Sequence, residues 1–309
     1  MSGVGVKVFA PATVANLAVG FDVLGLAVAG RGDVVRAVRS GAPGVRLVEV
    51  TGDGGRLPRE PERNTACVAA RETMRAAGLE IGVDLYLEKG LPLGSGLGSS
   101  AASAAAAALA TNALLGSPLR RGELVGPCVE AEAVVSGRHA DNVAPALLGG
   151  LILVRALEPM DLVRLPMPPE LTVAVVIPAL ELNTKAARAA LPAQVPLAEM
   201  VRGSANIAAF TAACYSQDLT LMARCFEPDP ITEARAALIP GCRQALAAAE
   251  RAGALGSGIS GSGPSLFALC RSKESAGRVA ASMQAAFQDL GHEAETLVSP
   301  AECPGARIL

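Results

Sequence analysis

The sequence predicts an α+β protein in two domains, and three observations carry that expectation. At 309 residues the chain is long for one hydrophobic core. Strand-like alternation and helix-like spacing follow one another in both halves, and the second half reads as helices around a strand meander. Between the halves the composition shifts: five prolines stand from Pro159 to Pro178, and the boundary is placed near Pro166, giving residues 1–165 and 166–309.

Residues 4–9 alternate as a short strand that ends at Pro11. The segment PATVANLAVGFDVLGLAV then sets Asn16 and Asp22 in a mostly apolar run punctuated by Gly20 and Gly25, a setting in which small polar residues often cap turns. Residues 34–38 and 45–50 read as strands of an antiparallel set, residues 65–77 as a helix capped by Asn64 or Thr65, and residues 83–88 as a strand. After an alanine-rich helix, residues 120–135 read as a helix carrying Glu130 and Glu132 that stops at Ser136–Gly137. The stretch RHADNVAPALLGG then reads as a loop bearing His139, Asp141 and Asn142, ahead of an apolar strand at 151–154. In the second half, 171–177 is a strongly apolar strand, helices are expected at 184–191, 198–215, 219–226, 242–252 and 274–290, and a last strand at 294–298. The glycine-rich turn in GSGISGSGPSLFAL links two apolar runs.

The most informative stretch is PLGSGLGSSAASAAAAA, residues 92–108. Gly94, Gly96 and Gly98 allow sharp bends and close backbone approach, and Ser99 is a suitable N-cap for the alanine-rich helix. A glycine-rich loop opening a helix presents free N–H groups and the positive dipole end to an anion, which suits the phosphates of a nucleotide. The loop is neither a Walker loop, since no lysine follows Gly98, nor a dinucleotide fingerprint, since its glycines are evenly spaced by two.

Composition excludes several classes. Net charge is −2 with no basic block, which argues against a nucleic-acid surface. Seven cysteines lie scattered without a Cys-x-x-Cys pair, which reads as buried thiols in a reducing compartment. No uncharged apolar run reaches membrane-spanning length and no apolar signal core opens the chain, so a cytoplasmic protein is expected.

PLGSGLGSSAA resembles the ATP-loop signature of the GHMP kinases, PATVANLAVGFDVLG their first motif and GISGSGPSLFAL their third, in the family's order. Within that superfamily the chain is similar to the homoserine kinases of plant type, through ANLAVGFDVLG, HADNVAPALLGG, TKAARAALP and EARAALIPG. Ala18 and Val19 stand where that family usually has Gly-Pro. The resemblance implies a ribosomal-protein-S5-domain-2-like first half, a ferredoxin-like α/β sandwich second half, and a homodimer. It further implies transfer of the ATP γ-phosphate to L-homoserine, a step towards threonine.

On that resemblance, ATP is held by Pro92, Leu93, Gly94, Ser95, Gly96, Leu97, Gly98, Ser99, Ser100, Ala101 and Ala102. Mg²⁺ is held by Ser100 and Glu132, with Glu130 as the other glutamate on the same helix. Arg188 and Arg235 match the family's substrate arginines, suited to a carboxylate, while Asn16 and Asp22 match its ammonium-side pair. His139, Asn142, Thr184 and Gly261 line the remainder. The catalytic candidates are Asn142, Asp141 and Asp22: homoserine-type members work without a dedicated base, mevalonate-type members use an aspartate in the block equivalent to Asp141–Asn142, and the sequence does not choose. A kinase for another small alcohol, such as mevalonate or a sugar, and a nucleotide-binding regulator without turnover are the alternative readings. The arginine pair with Asp22 speaks against the first, and the presence of Glu132 against the second.

Overall fold

The computed structural model describes residues 5–309. The first half builds β1 (Val6–Ala15), β2 (Leu24–Ser40), β3 (Gly44–Thr51), α1 (Thr65–Ala76), β4 (Gly82–Glu88), α2 (Ser99–Leu114), α3 (Val125–Ala133), α4 (Val143–Leu148), β5 (Leu151–Leu157) and β6 (Met160–Leu165). β1 does not end at Pro11: a register shift between Pro11 and Ala12 carries the strand past a residue that has no N–H to donate. The expected strand start at residue 4 lies outside the described residues. β2 is 17 residues long, so its first residues, Leu24 to Leu26, pair with β5 while Val34 to Ser40 pair with β4. β3 runs parallel to β4 rather than antiparallel as expected, because the segment containing α1 returns the chain to the same end of the sheet.

α2 lies behind this sheet with 12 of its 16 residues buried, so it is enclosed on all sides rather than amphipathic. Alanine makes that possible, since small side chains let β1, β2 and α1 pack close to its axis. Ser99 is not its cap. Gly98 occupies that position at φ 65°, makes no side-chain capping bond, and Ser99 is the first helical residue.

The second half contains β7 (Thr172–Pro178), α5 (Thr184–Ala189), α6 (Leu197–Ser216), α7 (Leu219–Arg224), α8 (Pro230–Ala236), α9 (Cys242–Arg251), β8 (Gly256–Ile259), β9 (Leu266–Cys270), α10 (Lys273–Gln288), β10 (Ala294–Pro300) and β11 (Arg307–Ile308). β10, β7, β9 and β8 form an antiparallel sheet in that order. Every residue of β7 is buried, because both faces are covered. Ala174 and Val176 join the core under α9 and α10, whereas Val173, Val175 and Ile177 join the core of the first sheet. The two-sheet α+β architecture expected from the sequence is thus present. β11 returns to the first sheet, with Val8 opposite Ile308 and Phe9 opposite Arg307. Sequence periodicity did not reveal α4, α8, β6 or β11; three of these span seven residues or fewer with a proline or only two residues, and such runs carry little periodic signal. The seven cysteines are all free and buried. Among the described residues, no helix is long and apolar enough to cross a membrane.

One polar feature sits inside this core. Asp33 of β2 and Lys89, just after β4, form an ion pair whose side chains are 0% and 1% exposed. Asp33 Oδ1 accepts from the backbone N–H groups of Gly90 (3.0 Å) and Leu91 (3.2 Å), and Oδ2 accepts from Lys89 Nζ and from Ser103 Oγ (2.7 Å). Lys89 Nζ also donates to the Ser99 carbonyl at 2.8 Å and to Ser103 Oγ at 3.0 Å. Burial pushes the Lys89 ammonium below its usual range, and the Asp33 charge acts against that shift. Removing one partner of a buried pair strands the other charge, at a cost of about 3–5 kcal/mol. Asp33→Asn is expected to lose stability of that order in urea denaturation, and Asp33→Leu combined with Lys89→Met to lose less than the sum of the two single changes.

Candidate active site

The loop between β4 and α2 is shaped as much by protein contacts as by any ligand. Gly94, Gly96 and Gly98 all have positive φ (65°, 80° and 65°). A Cβ on Gly96 would stand 2.6 Å from the carbonyl oxygens of Gly263 and Ser260, and one on Gly98 would stand 2.0 Å from Thr13 Oγ1. Side chains are therefore excluded at both positions by the first motif and by the turn between β8 and β9. Hydrogen bonds complete the clamp: Thr13 N–H to Leu97 O (3.1 Å), Ser265 N–H to Ser95 O (3.0 Å) and Ser260 Oγ to Gly96 O (2.7 Å). The loop's carbonyls are thereby consumed on the protein side, which leaves the N–H groups at the start of α2 for the cavity.

That cavity has a volume of about 230 Å³. Leu93, Gly94, Ser95, Gly96, Gly98, Ser99 and Ser100 line it, whereas Leu97, Ala101 and Ala102 are buried behind it and Pro92 faces a separate groove. Leu57, Pro58, Arg63, Asn64, Thr65 and Leu87 also line the cavity, apolar surface with an amide, a hydroxyl and one guanidinium. Lys89, Ser136 and Ser262 also reach it, and sequence reading missed all three. A lone lysine after a strand and an isolated serine carry no spacing signal, whereas Ser262 stands inside the glycine-rich third motif beside Gly261, where the signal was present.

Glu132 stands at the inner end of this cavity and is 5% exposed. Its Oε2 accepts from Ser136 Oγ at 3.0 Å, while the buried Oε1 has no hydrogen-bond partner. Burial pushes this carboxyl up; the hydroxyls of Ser100 and Ser136 and the charge of Lys89 act against it. Glu130 points elsewhere and pairs with Arg138 at 2.9 Å. The described residues contain no cluster of three His, Cys, Asp or Glu side chains placed to hold a metal unaided.

A second pocket continues from the first and shares Glu132, Asn142, Thr184 and Gly261 with it. It gathers Asn16, Asp22, His139, Asp141, Arg188 and Arg235, so every residue expected on the acceptor side converges there. The Gly261 carbonyl is its junction, accepting from Asn16 Nδ2 at 3.1 Å and from Arg235 Nη1 at 2.7 Å. Asn16 Oδ1 in turn accepts from the Asp22 N–H at 2.9 Å. Arg188 grips Asp22 with both nitrogens, at 3.1 and 2.7 Å, so these two expected substrate contacts are engaged with each other. The Phe21 ring lies 5.5 Å from the Arg188 guanidinium and 5.1 Å from that of Arg235. Thr184 Oγ1 lies 3.4 Å from Ser262 Oγ, and Thr13 Oγ1 donates to Asn142 Oδ1 at 2.7 Å.

Local backbone explains the first motif. Asn16, Leu17 and Ala18 are all left-handed, with φ 71°, 46° and 61°. Glycine would be the relaxed choice where Ala18 stands, but the Ala18 methyl fills the space a Gly258 side chain would need, 2.9 Å from its ideal Cβ position. Gly25 is required by the same packing logic, since a Cβ there would fall 1.6 Å from the Asp141 carbonyl oxygen. Asp141 is buried, and burial together with the charges of Asp22 and Glu132 pushes its carboxyl up to about 7. Burial pushes the His139 imidazole down, against the Asp22 charge 3.9 Å away.

The chain matches the model of the GHMP kinases N terminal domain over residues 64–150 and that of the GHMP kinases C terminal over residues 210–289. It is 45% identical to the homoserine kinase of Arabidopsis thaliana, over 99% of this chain and 85% of that protein, and 41% identical to the homoserine kinase of Chlorobium phaeobacteroides, over 97% and 98%. The crystal structure of homoserine kinase from Cytophaga hutchinsonii superposes with a TM-score of 0.95 at 42% identity, covering 99% of this chain and 97% of that one. With the clamped loop, the orphaned Glu132 oxygen and the shared cleft, these likenesses place the chain in the homoserine kinase family of the GHMP kinases, ATP-dependent enzymes.

Proposed function

We propose that this chain transfers the γ-phosphoryl group of ATP to the side-chain hydroxyl of homoserine, releasing ADP and O-phosphohomoserine, in threonine biosynthesis. The observation that carries the reading is the pocket beyond Glu132, where Asp22 pairs with Arg188 and Arg235 stands beside the phosphate loop, with Asp141 and Glu132 also lining the wall. A zwitterionic amino acid complements that arrangement: its ammonium replaces Arg188 on Asp22, with Asn16 orienting that aspartate, and its carboxylate takes Arg188 and Arg235. A sugar would leave all of these charges unanswered, and mevalonate, a carboxylate without an ammonium, would leave Asp22 unanswered.

Phosphoryl transfer needs alignment and charge neutralisation more than covalent chemistry. The N–H groups of Ser99 and Ser100 and the α2 dipole cradle the phosphates. Glu132 Oε1 and the Ser100 hydroxyl would hold Mg²⁺, a hard cation that takes oxygen ligands and, when bound, offsets phosphate charge. Asn142 lines both pockets and uses its oxygen on Thr13, so its amide N–H groups are left to donate toward the transferring group. Thr184 and His139 fill the walls around the acceptor. Of the two aspartates, Asp22 takes the substrate ammonium in place of Arg188, and Asp141, which lines the same pocket and is pushed up to about 7, is matched to accept the hydroxyl proton near neutrality. The cleft falls between residues 1–165 and 166–309, a division supported by the change of sheet from β6 to β7. The exposed apolar side chains of Leu197, Met200, Val201 and Tyr215 along α6 support a homodimer meeting through that helix. The unpaired buried thiols support a cytoplasmic setting.

ADP release measured against homoserine, mevalonate and galactose is expected to show turnover with homoserine alone. Turnover with another alcohol, or ATP binding without turnover, overturns the reading. Glu132→Ala should depress kcat by at least about 100-fold, whereas Glu130→Ala, which removes only a surface ion pair, should leave it within about twofold; equal effects reassign the metal ligand. Asp141 also makes stability depend on pH. Below the ordinary carboxylate range it is protonated folded and unfolded; from there to about 7 only the unfolded chain releases the proton, so stability falls as pH rises through that window. Urea midpoints should decline across it for the native chain, and Asp141→Asn should flatten the decline.

A further inference from the structure

We propose that Asp229 is a positioning residue for Arg235, holding its guanidinium through a water molecule in a small cavity between them; the inference rests on the assignment of Arg235 to the substrate carboxylate. α8 begins directly after Asp229, whose Oδ1 caps the helix by accepting from the N–H groups of Ile231 and Thr232, both at 2.9 Å. The second oxygen of Asp229, Oδ2, is buried and has no hydrogen-bond partner. On the same helix, Arg235 is 5% exposed, and its Nε is likewise buried without a partner. Both residues line one cavity of about 20 Å³, with Asn16, Phe21, Thr232 and Gly261 around it. Asp229 and Arg235 are not among the ion pairs within 4.0 Å, so the acceptor and the donor face a shared space instead of each other.

A water molecule needs about 10–15 Å³ and two or more polar partners, and it both donates and accepts. The cavity supplies the room, Nε the donor and Oδ2 the acceptor, and a bridging water is enthalpically close to a direct hydrogen bond. With Nε fixed in this way, Nη1 on the Gly261 carbonyl and Phe21 at 5.1 Å, the guanidinium has one orientation, and Nη2 is left for the substrate. Asp229 thus does two things with two oxygens: one starts the helix that carries Arg235, and the other aims the side chain at its end.

The test separates these roles. Asn caps helices as well as Asp, so Asp229→Asn keeps the α8 cap while turning an N–H₂ group toward the Arg235 N–H; Asp229→Ser keeps a capping oxygen and removes the second one. Both variants are expected to leave the melting temperature and the KM for ATP unchanged and to raise the KM for homoserine about tenfold. The direction is diagnostic, because removing a negative charge near the substrate carboxylate would by electrostatics alone lower that KM. An unchanged or lowered homoserine KM in both variants overturns the inference. Arg235→Leu is the control, expected to raise the homoserine KM by roughly 10- to 150-fold, with Asp229→Asn adding little on that background. If Arg235→Leu leaves homoserine kinetics intact, the substrate assignment itself fails; if it raises KM while Asp229→Asn does not, only the role of Asp229 fails.

Discussion

The buried pair of Asp33 and Lys89 sets the position from which the site is measured. Two charges withdrawn from water cost several kcal/mol each unless every bonding group finds a partner, and here they do. Asp33 receives the two backbone N–H groups that start the phosphate loop, and Lys89 holds the carbonyl of Ser99 at the first turn of α2. One ion pair therefore fixes both the entry to the loop and the helix end that the loop feeds. The middle of the loop is fixed from the opposite side, where Gly96 and Gly98 leave room only for backbone and for Thr13. A loop held at its entry, middle and exit keeps its N–H groups aimed without a ligand, which is what preorganised charge stabilisation requires.

The second pocket solves a different problem, since it holds groups of opposite charge close together without a ligand. Asp22 and Arg188 neutralise each other across the pocket mouth. A zwitterion can exchange for that pair end by end, so neither protein charge needs to be stripped bare on binding. Arg235 is handled otherwise: it is buried, tied to the Gly261 carbonyl and flanked by Phe21. The carbonyl of Gly261 joins Asn16 of the first motif, Arg235 of α8 and the third-motif turn into one frame.

Much of this was legible in the chain itself, and the remainder was hidden for identifiable reasons. Closely spaced glycines before an alanine run carry a local signal, and the loop and α2 stand where that signal put them. The residues proposed for the substrate side were chosen through resemblance, because Arg188 and Arg235 share no local pattern with Asp22 or with each other. Lys89 and Ser136 escaped because their roles depend on burial and on neighbours distant in sequence. The parallel pairing of β3 with β4 was missed because strand periodicity reports a face, not a direction. Ser99 looked like a cap because serine usually is one, but a glycine in the left-handed region already ended the loop one residue earlier.

The return of β11 to β1 bears on how the molecule assembles. Val8 meets Ile308 across roughly 300 residues of intervening chain, so one edge of the first sheet stays open while everything between is synthesised. Contacts of that sequence separation are slow to form, since the loop they close must first surrender its freedom. Closure of that edge by β11 joins the most distant strands of the chain, and until it happens the exposed β1 edge is open to a strand from another molecule.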